Sequence, residues 1–336
     1  MHLSSIWKVL TSSFFLLILN LALSQSDSSS KIADFRNNVV VYSDLGFTSA
    51  PFSISYPFTN EINQLSYKNN FKTFLGIGIA YKWLSLRIGF PILSSFRPIN
   101  KYGNTKQFNV GFDYSLFKTF FDLEFKYLEG YSIQNANRWD TSKSPNDIQS
   151  NLVSFNLALN GWYFHDKDFK MNALLGKRAH YTQEVKTWYL KGTINLFGLD
   201  NKNNTLIPQQ LIDPANSKTE LSKANSFDFG VIPGYAYVNR IKNWQFSGWF
   251  GFGPVIQSKF YSYSGNSRGF LGIAPRYDFR LMGGYSKPEF FIFLVTDFDN
   301  KSIRFNDMII RQYFYSIKLV GGYRFSNKKN NLLKLN

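Results

Sequence analysis

Apolar and polar residues alternate along most of this chain downstream of residue 25. In residues 74–81 the odd positions are Leu, Ile, Ile and Tyr, and in residues 84–92 the even positions are Leu, Leu, Ile, Phe and Ile. Such alternation recurs in segments of about ten residues, a length typical of β-strands that span an outer membrane. No run in this part of the chain reaches the roughly 18 apolar residues that a membrane-spanning helix needs.

The alternation and the positions of the tight turns together predict twelve strands. They are expected over residues 38–55, 70–81, 84–93, 107–117, 119–130, 150–164, 169–197, 226–240, 245–257, 269–285, 289–299 and 310–325. Residues 169–197 allow two interpretations. A hairpin there would break the up-and-down parity, whereas one long strand with a bulge near residues 178–186 preserves it. Ten or fourteen strands therefore stay open.

The predicted fold class is all-β, a transmembrane antiparallel up-and-down β-barrel of about twelve strands. A secreted β-sandwich also alternates and is the alternative. Aromatic residues near strand ends favour the barrel, because they suit an interfacial girdle; they are Tyr81, Trp83, Tyr127, Tyr163, Trp244 and Tyr323. Short turns of such barrels face the periplasm and long loops face outward, so residues 198–225 are expected to form the largest extracellular loop.

The first 24 residues have the layout of a cleaved secretory signal. Lys8 precedes a mostly apolar stretch from Val9 to Leu23, and the small residues Ala22 and Ser24 come just before Gln25. We expect residues 1–24 to be a signal peptide, 25–37 a disordered leader, 38–325 the barrel and 326–336 a periplasmic tail. The expected location is the bacterial outer membrane.

Composition excludes several classes of site. The chain has 336 residues, a formal net charge of +16, three His and no Cys. Without Cys there is no disulfide framework, thiolate metal site, thiol nucleophile or lipid-modified N-terminal Cys. The basic surplus is interpreted as a response to lipopolysaccharide phosphates at the outer rim, with candidates Arg97, Lys101, Lys106, Lys143, Lys259, Arg268 and Lys301. An exported barrel does not meet nucleic acid, and no cofactor is expected.

Two groups of residues carry a family resemblance. One is the run from Leu65 to Asn69, which leads into Gly76, Gly78, Tyr81 and Lys82; the other is the run Gly230–Tyr237, followed by a turn and Trp244. In these spacings the chain resembles an uncharacterised outer-membrane β-barrel family common in Bacteroidota and classed as a domain of unknown function. The resemblance implies a barrel and export, and no activity. The chain departs from the family pattern at one place: where the family usually has a run of small residues, this sequence has Lys186 to Tyr189.

The closing strand also resembles the signal that the barrel-insertion machinery reads. The candidate residues are Lys318, Gly321, Gly322, Tyr323 and Phe325. The glycines come one or two positions late, and eleven residues follow Phe325. The insertion machinery is therefore an expected partner, together with outer-membrane lipids and lipopolysaccharide.

By alternation, thirteen charged residues are predicted to face the lumen. The basic ones are Arg87, Lys126, Lys170, Lys191, Arg276, Arg280, Lys318 and Arg324, and the acidic ones are Asp113, Asp122, Glu124, Asp228 and Asp278. Such charges must pair, because an isolated charge away from water is costly. They predict either a salt-bridged network that fills the barrel or a narrow path that mildly prefers anions.

Catalytic chemistry finds little support in the sequence. A barrel hydrolase with a Ser/His/Asn site needs an imidazole base. Of the two mature histidines, His165 is expected in a periplasmic turn and His180 in the extracellular half of the long strand. No Gly-x-Ser-x-Gly elbow and no metal-ligand spacing occurs, so neither a catalytic nor a metal site is predicted.

The expected role is that of an outer-membrane barrel that is structural, serves docking, or provides a narrow passage for small solutes, anions among them. A lipid-modifying barrel enzyme similar to a phospholipase is one alternative. The other is a partner-binding barrel of a surface complex, which would use the loops at residues 131–150 and 198–225.

Overall fold

The computed structural model describes residues 31–92, 95–116, 119–166, 168–202 and 204–326. The predicted signal peptide lies outside the described residues, as does the predicted tail apart from Ser326.

Sixteen strands and two short α-helices are formed by the described residues. The strands are β1 (Ile32–Asp34), β2 (Val39–Ser49), β3 (Phe52–Ser55), β4 (Gln64–Asn69), β5 (Thr73–Tyr81), β6 (Leu84–Pro91), β7 (Lys106–Leu116), β8 (Thr119–Gln134), β9 (Asn146–Phe164), β10 (Ala179–Tyr181), β11 (Val185–Asp200), β12 (Lys223–Ile241), β13 (Trp244–Tyr263), β14 (Asn266–Ser286), β15 (Phe290–Phe305) and β16 (Met308–Phe325). The helices are α1 (Ile99–Tyr102) and α2 (Met171–Leu175), and 3-10 turns lie at Ala136–Arg138, Gln209–Leu211 and Ser217–Glu220.

Twelve of these strands form one closed antiparallel ring. In spatial order they are β2, β5, β6, β7, β8, β9, β11, β12, β13, β14, β15 and β16, and β16 pairs with β2 to complete the circle. Each strand therefore pairs with its neighbour in the chain, apart from short inserted elements. The predicted fold class and the count of twelve are confirmed. A closed ring leaves no edge of unpaired backbone along its membrane-spanning part.

The wall is completed by a small hairpin where three strands are short. The predicted strand over residues 38–55 is interrupted: β2 ends at Ser49, and β3 pairs instead with residues 309–312 of β16. β4 pairs with β3 and with residues 131–133 of β8. The β3–β4 hairpin thus bridges β16 and β8 above β5, β6 and β7.

The outer surface of the ring is apolar. Exposed side chains alternate with buried ones along the strands; on β5, for example, Ile77 and Ile79 are exposed, whereas Phe74 and Ala80 are buried. Many exposed outward residues are aromatic, including Trp83, Trp188 and Trp244. This continuous apolar exterior is what a lipid-facing barrel requires. Among the described residues, no helix is long and apolar enough to cross a membrane.

The two ends of the barrel differ. At the turn end, residues 82–83, 242–243 and 287–289 make tight connections. At the opposite loop end lie the longer connections at residues 92–105, 135–145 and 201–222, together with the β3–β4 hairpin. The chain passes from β9 to β11 at the turn end through residues 165–184, a segment that departs from this rule because it is long.

That segment corrects the interpretation of residues 169–197 as one strand with a bulge. Only residues from Val185 onward belong to the wall, and residues 165–184 contain α2 and β10 instead. β10 pairs with β1, so the described part of the predicted leader is ordered rather than disordered. We call residues 31–38 and 165–184 together the plug. Its apolar residues, among them Phe169 and Leu174, pack against inward wall residues such as Trp249 and Phe293.

The loop end is closed by a second apolar cluster, which we call the cap. Leu206, Ile207, Leu211 and Leu221 of the 201–222 connection are buried among inward residues of the upper wall, including Phe197. The Tyr67 hydroxyl donates to the Leu206 carbonyl oxygen at 2.5 Å. The loop predicted to be the largest therefore folds over the mouth of the barrel.

One seam of the wall is open at the loop end. β14 and β15 pair from Ser286↔Phe291 to Asp278↔Asp299, and no further. Beyond that point β14 remains paired with β13, and β15 with β16. We call the space between β14 residues 266–277 and β15 residues 300–305 the slot.

Candidate functional site

The barrel interior has three layers, of which the middle one carries the charged residues. The plug fills the turn end, the cap fills the loop end, and a layer of paired charges lies between them. Every inward position of a strand contributes one side chain, so the strands bring together residues that are far apart in sequence. We describe this charge layer as the candidate functional site.

Arg87 and Asp44 form a two-pronged ion pair at one side of the layer. The guanidinium Nε and Nη2 lie 2.5 and 2.6 Å from the two carboxylate oxygens, and Nη1 donates to Asn109 Oδ1 at 2.7 Å. The Asp44 side chain is only 2% exposed. Such planar bidentate geometry is the strong form of a charge-assisted hydrogen bond, so this pair links β2, β6 and β7 rigidly.

Asp297 is the centre of a second group. Its carboxylate pairs with Arg280, and its Oδ2 lies 3.3 Å from Lys318 Nζ and accepts a hydrogen bond from Ser316 Oγ at 3.0 Å. Lys126 pairs nearby with Glu124 at 2.8 Å. This group joins β14, β15 and β16, next to the seam where β16 meets β2, the first strand of the ring.

A third group surrounds Asp278. One carboxylate oxygen lies 3.2 Å from Lys191 Nζ, and the other accepts a hydrogen bond from Trp249 Nε1 at 3.0 Å. The Lys191 ammonium also lies 5.0 Å from the centre of the Trp162 ring, a cation–π distance. Lys191 therefore contacts both a carboxylate and an aromatic ring inside the barrel.

The most deeply buried pair of the layer lies toward the loop end. Arg276 pairs with Asp228, and both side chains are almost wholly buried. Gln257 Nε2 donates to Asp228 Oδ1 at 2.9 Å. Lys301 pairs with Asp299. The acidic groups named so far each pair with a base, whereas Asp122 forms no ion pair with a described base, and its Oδ1 has no hydrogen-bond partner.

Two small cavities lie between these groups. One cavity of about 100 Å³ is lined by Asp122, Lys191 and Arg276, and a neighbouring cavity of about 160 Å³ is lined by Asp44, Arg87 and Lys177. Cavities of this size and polarity hold a few water molecules. Neither cavity is lined by residues of the 201–222 connection, and only the second touches the plug, at Leu175 and Lys177.

The structure places twelve of the thirteen predicted lumen charges on the inner face of the wall. The exception is Lys170, which lies in the plug immediately before α2 and not on a strand; the error follows from reading this segment as wall. Four wall residues of the layer were not predicted: Asp44, Asp297, Asp299 and Lys301. The predicted excess of basic groups falls once they are included, because three of the four are acidic.

Two arginines attach the plug to the wall. The Arg324 guanidinium is 2% exposed and donates to the carbonyl oxygens of Gly176 at 2.6 Å and Lys177 at 2.7 Å. Arg178 of the plug pairs with Asp113 of β7. Arg324 and Asp113 are thus plug anchors rather than free lumen charges.

Of the closing-strand residues, Lys318 faces the interior, while Tyr323 and Phe325 lie exposed on the outer face with ring centres 4.8 Å apart. Gly321 and Gly322 pair with β15 and β2. Recognition of these residues by an insertion machinery stays a prediction.

Both described histidines lie at the turn end. The His165 ring stacks on Trp188 at 4.7 Å. His180 lies within the plug, so its expected position in the extracellular half of a long strand is wrong. Burial is the main cause that lowers the pKa of His180 to about 3, and the neighbouring Arg240 and Arg324 lower it further. The described residues contain no group of three or more His, Asp or Glu placed to hold a metal ion.

Two of the predicted rim cations do not face outward. Lys301 is 6% exposed and bound to Asp299, and Lys259 is 8% exposed against the inner side of the β13–β14 hairpin. The expectation that these two face lipopolysaccharide is wrong, because both side chains point inward from the upper wall.

A family model covers the fold and the charge layer together. Residues 7–325 match the model described as "Domain of unknown function (DUF4421)". The chain belongs to the DUF4421 family. No curated protein matches its sequence.

Several solved structures are distantly similar to this DUF4421 chain. The outer membrane protease OmpT from Escherichia coli is 10% identical, with 89% of this chain and 100% of that chain covered and a TM-score of 0.40. The translocator domain of the autotransporter NalP from Neisseria meningitidis is 9% identical, with coverages of 96% and 97% and a TM-score of 0.39. The β domain of the Bordetella autotransporter BrkA is 12% identical, with coverages of 86% and 99% and a TM-score of 0.41. Likeness at this level transfers no activity to the DUF4421 chain.

Proposed function

We propose that this DUF4421 protein is an integral outer-membrane barrel with a sealed lumen, and that it serves as a docking platform at its loop end. The observation that carries the proposal is the triple closure of the interior by plug, charge layer and cap. A pore would need a continuous polar path, whereas here two apolar clusters enclose the polar layer.

The orientation proposed places the loop end outside the cell and the turn end in the periplasm. Three long connections, at residues 92–105, 135–145 and 201–222, lie at the loop end, beside two tight turns at residues 264–265 and 306–307. The long connections support the orientation, since outer-membrane barrels place their long loops outside. The apolar exterior supports the membrane location. The predicted signal peptide would account for export.

Conductance in planar bilayers tests the sealed lumen. The refolded protein should show no steady single-channel steps. A variant in which residues 170–179 are replaced by a Gly/Ser linker should remain close to silent, because the charge layer and the cap stay in place. Heat-modifiable migration in detergent gels would confirm that both proteins are folded. Steady steps from the unaltered protein would contradict the proposal.

A narrow passage for small solutes is the second candidate. The two polar cavities in the charge layer favour it, because they already hold space for water between the closures. In that case the unaltered protein would be silent, whereas the linker variant would conduct strongly. The bilayer experiment therefore separates a barrel sealed at three levels from one that the plug alone gates.

A barrel hydrolase is not supported by the placement of its required base. Both described histidines lie at the turn end, within or beside the plug. A lipid substrate in the outer leaflet would lie near the loop end, far from both histidines.

A further inference from the structure

The edge of β14 that borders the slot has no strand beside it. From Asn266 to Tyr277 this strand pairs with β13 on one side only. The side chain of Asn300 ends the β14–β15 ladder: its Oδ1 accepts the Tyr277 N–H at 2.8 Å, and its Nδ2 donates to the Pro275 carbonyl oxygen at 3.4 Å. Asn300 thus substitutes for one further strand residue, and the ladder stops there.

The free edge offers alternating backbone donors and acceptors. Tyr263 and Asn266 flank a two-residue turn whose central residues, Ser264 and Gly265, both have positive φ, as in a type I′ hairpin. In such a hairpin the flanking pair is hydrogen-bonded, so every second residue from Ser267 to Ile273 directs its N–H and C=O away from β13. Among the described residues, these groups have no backbone partner on that side.

The outward side chains of this edge are apolar, like the rest of the outer face, and they are the most exposed among them. Leu271 is 80% exposed and Ile273 is 75% exposed, the two highest values among the large apolar residues described. Natural edge strands are normally shielded by charges, prolines or bulges. Here the only proline, Pro275, lies at the closed end of the slot. An exposed apolar edge with free backbone groups is a template for strand addition.

Three cations without a carboxylate partner surround the slot. Lys259 extends beneath Gly272 of β14, Arg304 lies on β15, and Lys259 and Arg304 are close enough to repel each other. Arg268 lies exposed near the hairpin tip, over the Tyr263 ring at 5.6 Å. No ion pair with a described carboxylate involves any of the three. The slot is therefore a positively charged site.

These features decide between possible occupants. A second copy would bring two identical sets of cations together, which is unfavourable. The described ends of the chain, at residues 31 and 326, both lie at the turn end, on the other side of the barrel. A lipid phosphate accepts hydrogen bonds but cannot donate to the free carbonyl groups. An extended peptide satisfies both kinds of backbone group.

We propose that the β14 edge binds an acidic, extended segment of another protein by strand addition. The segment's backbone pairs with the edge from Ser267 to Ile273, its apolar side chains lie on Leu271 and Ile273, and its carboxylates face Lys259 and Arg304. This inference rests on the docking role proposed above and names the chemistry of the partner.

Binding of a short synthetic peptide to the detergent-folded protein tests the inference. The probe alternates Val and Thr, carries Glu at both ends and is followed by fluorescence anisotropy. Leu271→Pro removes one free N–H and places a ring against the incoming strand, so affinity should fall at least tenfold. The barrel itself should still fold, because this N–H has no partner in the protein. Leu271→Ser keeps the N–H and should cost only a few-fold.

The charge contribution has its own variants. Lys259→Gln and Arg304→Gln should each weaken binding several-fold at low salt and flatten its salt dependence. Lys68→Gln, on the exposed face of β4 away from the slot, is the matched control and should leave binding unchanged. Heat-modifiable migration of every variant separates a loss of affinity from a loss of fold.

Four results would overturn the inference. The first two are unchanged affinity for a peptide whose edge-facing amides are N-methylated, and unchanged affinity of the Leu271→Pro variant for the original peptide. The third is binding of lipopolysaccharide micelles that Leu271→Pro weakens as much as it weakens peptide binding. The fourth is a dimer of the protein alone that dissociates in the Leu271→Pro variant. A conducting barrel that still binds the peptide would remove only the sealed lumen. A silent barrel that ignores the peptide would remove only this inference.

Discussion

At the scale of single residues, the barrel interior consists of charges that are costly unless each keeps its partner. Arg87 illustrates this, because its guanidinium satisfies both oxygens of Asp44, which is nearly inaccessible to water. Removing one partner of a buried pair leaves an uncompensated charge, whereas replacing both with apolar groups is often close to neutral.

Arg87→Leu should therefore lower the free energy of unfolding by about 3–5 kcal/mol. The double variant Arg87→Leu/Asp44→Leu should recover most of that loss, since no charge remains stranded. Urea unfolding in detergent, followed by tryptophan fluorescence, measures both. Outward-facing Leu86→Arg, near the start of β6, is a control for the faces, because a charge on the lipid side costs about 2–4 kcal/mol at the midplane and about 0–1 kcal/mol near an interface. If the double variant were as unstable as Arg87→Leu, the pair would not be the cause.

Alternation predicts which residues face the interior, but it does not predict which of them meet. Asp44, Asp297 and Asp299 follow the same period of two as their strands, so extending the parity of β2 and β15 through the sequence would have included them. The ion-pair partners of inward residues cannot be predicted in the same way. Lys191 and Asp278 are 87 positions apart in the chain, and they meet only because ring closure and strand register bring β11 and β14 side chains to one level.

At the scale of elements, the plug is the part that the sequence least revealed. Its apolar residues alternate briefly, which predicts a strand, and the change of parity that follows predicts a bulge. The chain instead turns at Gly176, which has a φ of 70° and ends α2 in the left-handed region that favours glycine. The driving force is burial of Phe169, Leu174 and Leu175 inside the ring, and a lumen that can accept them is not visible in a single segment.

The plug should loosen in mild acid because of His180. This imidazole is buried, its ring centre lies 5.0 Å from that of Phe35, and its pKa is lowered to about 3, first by burial. A released plug would take up a proton near pH 6.5. Stability of the plugged form is therefore complete above that pH and falls below it, by up to about 1.4 kcal/mol per pH unit.

Hydrogen–deuterium exchange of residues 171–181 measures this loosening. The rate in the unaltered protein, divided by the rate in His180→Gln at the same pH, cancels the intrinsic pH dependence of exchange. The ratio should rise between pH 6.5 and 4.5. A constant ratio across this interval would show that His180 does not control the plug.

At the scale of the whole molecule, the two ends of the barrel give a test of orientation. The 201–222 connection is anchored where Asn216 Nδ2 donates to Asp307 Oδ2 at 3.0 Å and to the Tyr56 hydroxyl at 3.0 Å. Pro214 and Ala215 beside it are exposed. An epitope tag between these two should be tolerated and labelled by antibody on intact cells, and a tag at the turn between Lys242 and Asn243 should be labelled only after permeabilisation. The reverse pattern would invert the proposed orientation.

The path of β16 has a consequence for how the protein is made. This last strand pairs with β15 on one side and, on the other, with both β2 and β3 near the start of the barrel. Contacts between such distant parts of a chain form slowly. The newly exported polypeptide must therefore remain an open, unsealed sheet until its final residues arrive, with its apolar surface in need of protection throughout. A chain that stops before Met308 would lose the pairing of β16 with β2 and with β3 together. We expect such a chain to be degraded in the cell rather than to persist as a smaller barrel.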